Sequence, residues 1–213
     1  QIMPFNDFEA SISETDAETS GEDLYGWGYN PKNFNTPEGS YSTDPYNGEV
    51  RVNELKQMIQ ALHSSGINVI MDSVYNHVCD GGGFGYNRLV PSYFSRFHGP
   101  NDDWSRDNHC NSSGCGNDFA TQRAMARKYI VDSILYWVEE YHVDGFRFDL
   151  AGLIDAETMN EAINTVHAKY PHVIFYGEGW EKTDSNMEGA TPVSQYFASQ
   201  VPEFAFFNHV MRD

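Results

Sequence analysis

Apolar positions along the chain follow two alternating rhythms. Val52, Leu55, Met58, Ile59 and Leu62 recur at helical spacing, with Asn53 as N-cap and Gly66 as C-terminal stop, and predict an amphipathic helix over 53–64. It feeds directly into 67–71 (INVIM), a short β-branched run of the sort that forms a strand buried on both faces. The alternation then repeats. Ala126, Ile130, Ile134, Trp137, Val138 and Tyr141 line one face of a helix predicted over 120–141, and 143–150 reads as a strand. Asp155 caps a helix reaching residue 170, and 173–176 and 203–207 read as two further strands. Helix and strand in alternation predict right-handed βαβ units and a parallel sheet, hence an α/β fold. The opening run at 1–4 looks like the end of one more strand.

Two long excursions interrupt this pattern. Residues 5–51 are dominated by turn formers and acids, with Pro31, Pro37 and Pro45 as breakers. Residues 78–118 hold Gly81-Gly82-Gly83 and all three cysteines. Loops of this length inside a compact domain are usually functional. No repeat or shift in composition divides the 213 residues, which read as one domain.

Composition narrows the class of ligand. Thirteen Lys+Arg against 31 Asp+Glu give a formal charge of −18, which repels phosphate backbones and anionic headgroups, so nucleic acid and membrane surfaces are poor partners. No apolar window is long enough to cross a bilayer. Aromatic residues make up 15 %, and Tyr25, Trp27, Tyr29, Phe34 and Tyr41 fall in Gly- and Asn-rich segments, which suits an uncharged, ring-shaped ligand. Cys79, Cys110 and Cys115 form neither a disulfide framework nor a metal-ligand spacing. The chain starts at Gln1 without a methionine, and both ends read as cut; a secreted or cell-surface parent is expected, with any leader preceding Gln1.

In parallel α/β folds ligands lie at the carboxyl ends of the strands. Those positions are unusually polar here: Asp72-Ser73-Val74-Tyr75-Asn76-His77, Phe146-Arg147-Phe148-Asp149, Tyr176-Gly177-Glu178-Gly179-Trp180 and Phe207-Asn208. Arg147 and Asp149 are two apart and leave the same face of a strand, while Phe146 and Phe148 leave the other. The guanidinium would keep Asp149 ionised, as a carboxylate nucleophile requires; the same pair is equally what closes a sheet end. Glu178 precedes Trp180, an apolar neighbour that would raise its pKa and keep it protonated as a general acid; alone, it reads as a helix-start carboxylate. One ionised and one protonated carboxyl on neighbouring strand ends are the minimum for glycoside hydrolysis. Adjacent strands lie roughly 4.8 Å apart, near the about 5–5.5 Å carboxyl separation of retaining enzymes. His77 is placed to donate to a sugar hydroxyl, and Asp72 and Asn76 to satisfy backbone groups around the turn. The rival is a hydrolytic metal site built from Asp72, His77, Asp149 and Glu178. It lacks a His-x-His or His-Glu-x-x-His pattern and has Arg147 competing with the cation.

In order and spacing, Asp72-Ser-Val-Tyr-Asn-His77, Gly145-Phe-Arg-Phe-Asp149-Leu and Tyr176-Gly-Glu178-Gly-Trp180 resemble the first three of four sequence regions of the α-amylase superfamily of glycoside hydrolases. Tyr25-Gly-Trp27-Gly-Tyr29-Asn-Pro31, followed by Asn33-Phe-Asn-Thr-Pro-Glu-Gly-Ser-Tyr-Ser, is similar to the type I pullulanase group, which debranches α-1,6 linkages. Ser113-Gly-Cys-Gly-Asn117 and Phe206-Phe-Asn208 with Arg212-Asp213 resemble segments of that group too. Gly26 and Asn30 depart from its usual tyrosine motif and leave isoamylase-type relatives open.

The resemblance implies a partial (β/α)8 TIM barrel, an incomplete catalytic domain over 1–213 running from about the end of the second strand to the sixth. Asp149 would be the nucleophile and Glu178 the acid/base. Arg147 and His77 would contact nucleophile and sugar, Tyr29 would stack on that sugar, and Trp27, Asn76 and Trp180 join the substrate-binding set. The partner would be an α-glucan: pullulan, starch or glycogen. No cofactor is required and no metal ligand is assigned, while acidic loops such as Asn101-Asp102-Asp103 permit a calcium ion. A third catalytic carboxylate belongs to the fourth region, outside 1–213, so the chain alone is expected not to catalyse. The alternatives are isoamylase-type or α-1,4 hydrolysis and, from another class, a non-catalytic α-glucan-binding module.

Overall fold

The computed structural model describes residues 1–10, 26–99, 108–182 and 185–208. Tyr25, the Asn101-Asp102-Asp103 loop, Arg212 and Asp213 lie outside the described residues. At the centre is a parallel sheet of four strands in chain order: β3 (Ile70–Ser73), β4 (Gly145–Phe148), β5 (Ile174–Gly177) and β6 (Ala205–Phe206). Ile2 adds to the free side of β3. Its N–H donates to the Ile70 carbonyl at 2.9 Å and its carbonyl accepts the Asp72 N–H at 3.0 Å, making a parallel bridge opposite Met71. The opening run is therefore a strand end, as expected. Among the described residues no closed barrel forms; the architecture is an open α/β sheet.

Helices α1 (Gly48–Ser64), α3 (Ala124–Tyr141) and α4 (Ala156–His167) fill the crossovers, and α3 packs on α4. Every apolar position assigned to the inner face of the helix at 120–141 is buried. Phe146, Phe148 and Phe175 stack beneath the sheet with ring centroids 5.7 and 6.2 Å apart, so one face of β4 is packing, as the alternation requires. Asp155 caps α4, accepting the Thr158 N–H at 2.9 Å.

Several boundaries move. α1 starts at Gly48 rather than 53, because its cap is Asn47, which accepts the Glu49 N–H at 3.1 Å, not Asn53. Its end is as expected. Gly66 (φ +74°) adopts the left-handed conformation, and the Ile67 N–H returns to the Leu62 carbonyl at 3.0 Å, a Schellman closure. That closure uses up 66–67, so β3 begins at Ile70 instead of 67.

Neither excursion is structureless. The first contains an antiparallel pair, β1 (Asn6–Phe8) and β2 (Pro31–Pro37), and the second a short helix, α2 (Gly85–Leu89). Two of the three prolines expected to break the chain, Pro31 and Pro37, stand at the first and last positions of β2, where the missing N–H is tolerated. Between them Phe34 is buried against Tyr75 and Phe119, and its carbonyl accepts the Trp137 indole N–H at 3.0 Å. No helix among the described residues is long and apolar enough to cross a membrane.

Candidate active site

Strand register assembles the site. Asp72, Arg147 and Tyr176 are direct partners across β3, β4 and β5, so all three side chains leave one face, opposite the phenylalanine stack. Arg147 Nη1 donates to Asp72 Oδ1 at 2.8 Å and to Asp149 Oδ1 at 3.0 Å, while Nη2 meets Glu178 Oε1 at 2.6 Å. One guanidinium thus joins three carboxylates. Burial works against its charge, but the hydrogen bond and charge of Asp72, with the charges of Glu178 and Asp149, prevail and push its pKa above the usual arginine value. The rings of Tyr29 and Phe207 lie 5.7 and 5.8 Å from its central carbon and add cation–π attraction.

The two carboxylates assigned to catalysis come together. Phe148 pairs with Gly177, so Asp149 and Glu178 follow on adjacent strand ends. A Cβ on Gly177 would lie 2.4 Å from the Phe148 carbonyl oxygen; only glycine lets β4 and β5 approach this closely. Leu150, directly after Asp149, is left-handed (φ +40°) and donates its N–H to Glu178 Oε2 at 3.2 Å. A non-glycine residue in that region is strained, and such residues cluster at functional sites.

The electrostatics differ from the sequence expectation. Burial raises the pKa of Asp149; the Arg147 charge and the Asn76 hydrogen bond oppose it without cancelling it. Glu178, expected to face only an apolar neighbour, holds the shorter ion pair with Arg147. The reason is that the register brings Arg147 between both strand ends, which spacing along one strand does not reveal.

Asp72 does more than satisfy a turn. It is fully buried, and besides Arg147 it accepts the Tyr29 hydroxyl at 2.7 Å and the Gln1 side-chain amide at 2.9 Å. Burial, then the Asp72 hydrogen bond, raises the Tyr29 pKa and keeps its hydroxyl protonated. Asn76 is likewise buried and donates Nδ2–H to both Asp149 Oδ2 (3.0 Å) and the Asp149 carbonyl (2.9 Å). Its Oδ1 faces His77 Nδ1 at 2.6 Å. Because Asn76 Oδ1 can only accept, His77 Nδ1 carries the proton. Burial lowers the His77 pKa to about 4, so the ring is neutral at physiological pH. His77 and Asn76 therefore sit behind Asp149 in a positioning chain rather than on the cleft wall. Asn76→Ala is expected to raise the Asp149 pKa further, moving the acid limb of the kcat/KM–pH profile to higher pH.

An open cleft of about 530 Å³ is walled by Tyr29, Asp72, Arg147, Glu178 and Trp180 and closed by Gln1, Phe207 and Asn208; Asp149 is not part of this wall and is tied to it through Arg147. Phe207 and Asn208, read from the sequence as a polar strand end but given no role there, close the cleft just beyond the two-residue strand β6. Trp27, assigned to substrate, is 62 % exposed and does not line the cleft. The metal alternative loses its donor geometry: Arg147 occupies the space between Asp72, Asp149 and Glu178, and His77 turns to Asn76. Among the described residues no cluster of His, Cys, Asp and Glu is arranged to hold a metal ion.

No family model matches the chain. It is 40% identical to a pullulanase of Bacillus subtilis over 214 residues, covering 100% of this chain and 28% of that protein. A pullulanase of Klebsiella pneumoniae is 38% identical over 169 residues, 77% of this chain and 15% of its own length. The crystal structure of a Paenibacillus barengoltzii pullulanase in complex with maltohexaose and alpha-cyclodextrin superposes with a TM-score of 0.87 and 44% identity, covering 99% of this chain and 31% of that one. With these matches the whole chain is similar to one part of the pullulanases. It spans less than a third of the length of the Bacillus relative.

Proposed function

We propose that these residues form the catalytic strands of a retaining glycoside hydrolase that cleaves α-1,6-glucosidic branch points, within a (β/α)8 barrel. The observation that carries this is the single Arg147 guanidinium bonded to both Asp149 and Glu178 at the ends of neighbouring strands. In the first step Glu178 gives its proton to the glycosidic oxygen as Asp149 Oδ attacks the anomeric carbon; the C–O bond to the leaving sugar breaks and a glycosyl ester forms on Asp149. In the second, Glu178 takes a proton from water, whose oxygen displaces Asp149 and restores both carboxyls. Tyr29 and Trp180 face the sugar, and Asn76 with His77 behind it fixes the Asp149 carboxylate. No metal or cofactor enters either step.

The resemblance puts a third catalytic carboxylate outside 1–213, so turnover is proposed for the enzyme carrying this segment, not for the segment alone. The relatives' complexes with maltooligosaccharides support an α-glucan as the ligand. Pullulan, glycogen and linear amylose given to that enzyme test the linkage: pullulan is expected to be hydrolysed and amylose spared. Preference for glycogen over pullulan would favour isoamylase-type debranching, and cleavage of amylose would overturn the α-1,6 assignment.

A further inference from the structure

Away from the cleft, β2, the loop after His77 and α2 form a groove of about 1040 Å³. Its centrepiece is Tyr86. That ring is 42 % exposed, yet it is fixed by Tyr129, Phe94 and Phe84 at centroid distances of 5.0, 5.4 and 5.5 Å. A rigid, half-exposed ring is a stacking platform whose ordering cost is already met. The charges on the walls cancel: Glu9 and Asp80 against Lys32 and Arg88, with Lys32 bonded to Glu9 at 2.9 Å. In a chain of net charge −18 such a balanced groove selects neither cations nor anions. Asn33, Asn35 and Thr36 add side chains that donate and accept hydrogen bonds, which hydroxyl groups require. Of the loop aromatics that marked this sequence for a ring-shaped ligand, Tyr29 serves the cleft; Tyr86 and Tyr129, which that reading did not single out, serve the groove.

We propose that this groove is a second, non-catalytic binding site for α-glucan, with a glucose unit stacked on Tyr86. The ligand class rests on the function proposed above; the groove itself does not. Two thiols serve the test. Cys79 lines the groove, whereas Cys115 is exposed and lines neither the groove nor the cleft, so it serves as the control thiol.

Alkylation of both by iodoacetamide, followed by mass spectrometry with and without maltohexaose, tests the proposal on the unaltered chain. Maltohexaose is expected to slow alkylation of Cys79 several-fold, and Tyr86→Ala to weaken that protection roughly three- to tenfold in ligand concentration while sparing any protection of Cys115. Protection of Cys115 alone would overturn the groove site and leave the cleft reading intact. Protection of Cys79 that survives Tyr86→Ala would overturn the stacking platform. Protection of Cys79 that is lost in Tyr86→Ala would uphold the groove, and absence of any Cys79 protection would overturn it.

Discussion

Replacing Arg147 with alanine is expected to lower the unfolding free energy of the chain by about 3–5 kcal/mol at neutral pH, the cost of removing one partner from a buried ionic cluster. Arg147 is 7 % exposed and is the cation shared by Asp72, Asp149 and Glu178. Without it, three carboxylates converge in a poorly solvated space and repel one another. The pH dependence gives the mechanism away. Burial already raises the Asp149 pKa, and the guanidinium is among the groups that hold it down, so in the variant the folded-state value climbs further above the unfolded one. A carboxyl with a raised folded pKa favours folding while protonated and loses that contribution as pH rises through the folded value. The deficit should therefore shrink as pH falls. Urea unfolding of wild-type and variant chains at neutral and mildly acidic pH measures it, and a deficit independent of pH would show that Arg147 acts through packing alone.

Glu178→Gln is expected to reduce kcat by about 10²–10⁴ for a polysaccharide substrate, the usual share of general acid–base catalysis. The loss should be much smaller for an aryl glycoside whose leaving group departs without a proton. Asp149→Asn should abolish turnover for both substrates, because no leaving group replaces a nucleophile. Binding should survive in each variant, since Tyr29 and Trp180 still wall the cleft. Comparing kcat with KM for both substrate types separates the roles. Equal sensitivity of the two variants to the leaving group would mean that the acid and nucleophile assignments are wrong.

How much of this was legible in the sequence varied with the range of the interactions involved. α3 was legible because Ala126, Ile130, Ile134, Trp137, Val138 and Tyr141 meet one core stripe at a local period. The paired carboxylates were legible because each follows an apolar strand at its carboxyl end. β2 was not, because Pro31 and Pro37 look like breakers until an antiparallel partner leaves them at strand ends. Nor was the work of Asp72 and Asn76, which depends on how β3 registers against β4 and on where Asp149 turns after it. Trp27 is the opposite case. An aromatic in a motif-like loop suggested a sugar contact, yet its position relative to the cleft is set by the path of the whole excursion, a long-range matter that composition does not encode.

The account stands or falls on Asp149 forming a bond to sugar while Glu178 handles the proton. Treating the enzyme carrying this segment with a fluorinated glucosyl donor that forms the glycosyl intermediate but hydrolyses it slowly, then sequencing the labelled peptide by mass spectrometry, tests this directly. A glucosyl ester on Asp149 is the predicted result; a label on any other side chain, or turnover with inversion at the anomeric carbon and no label, would contradict it.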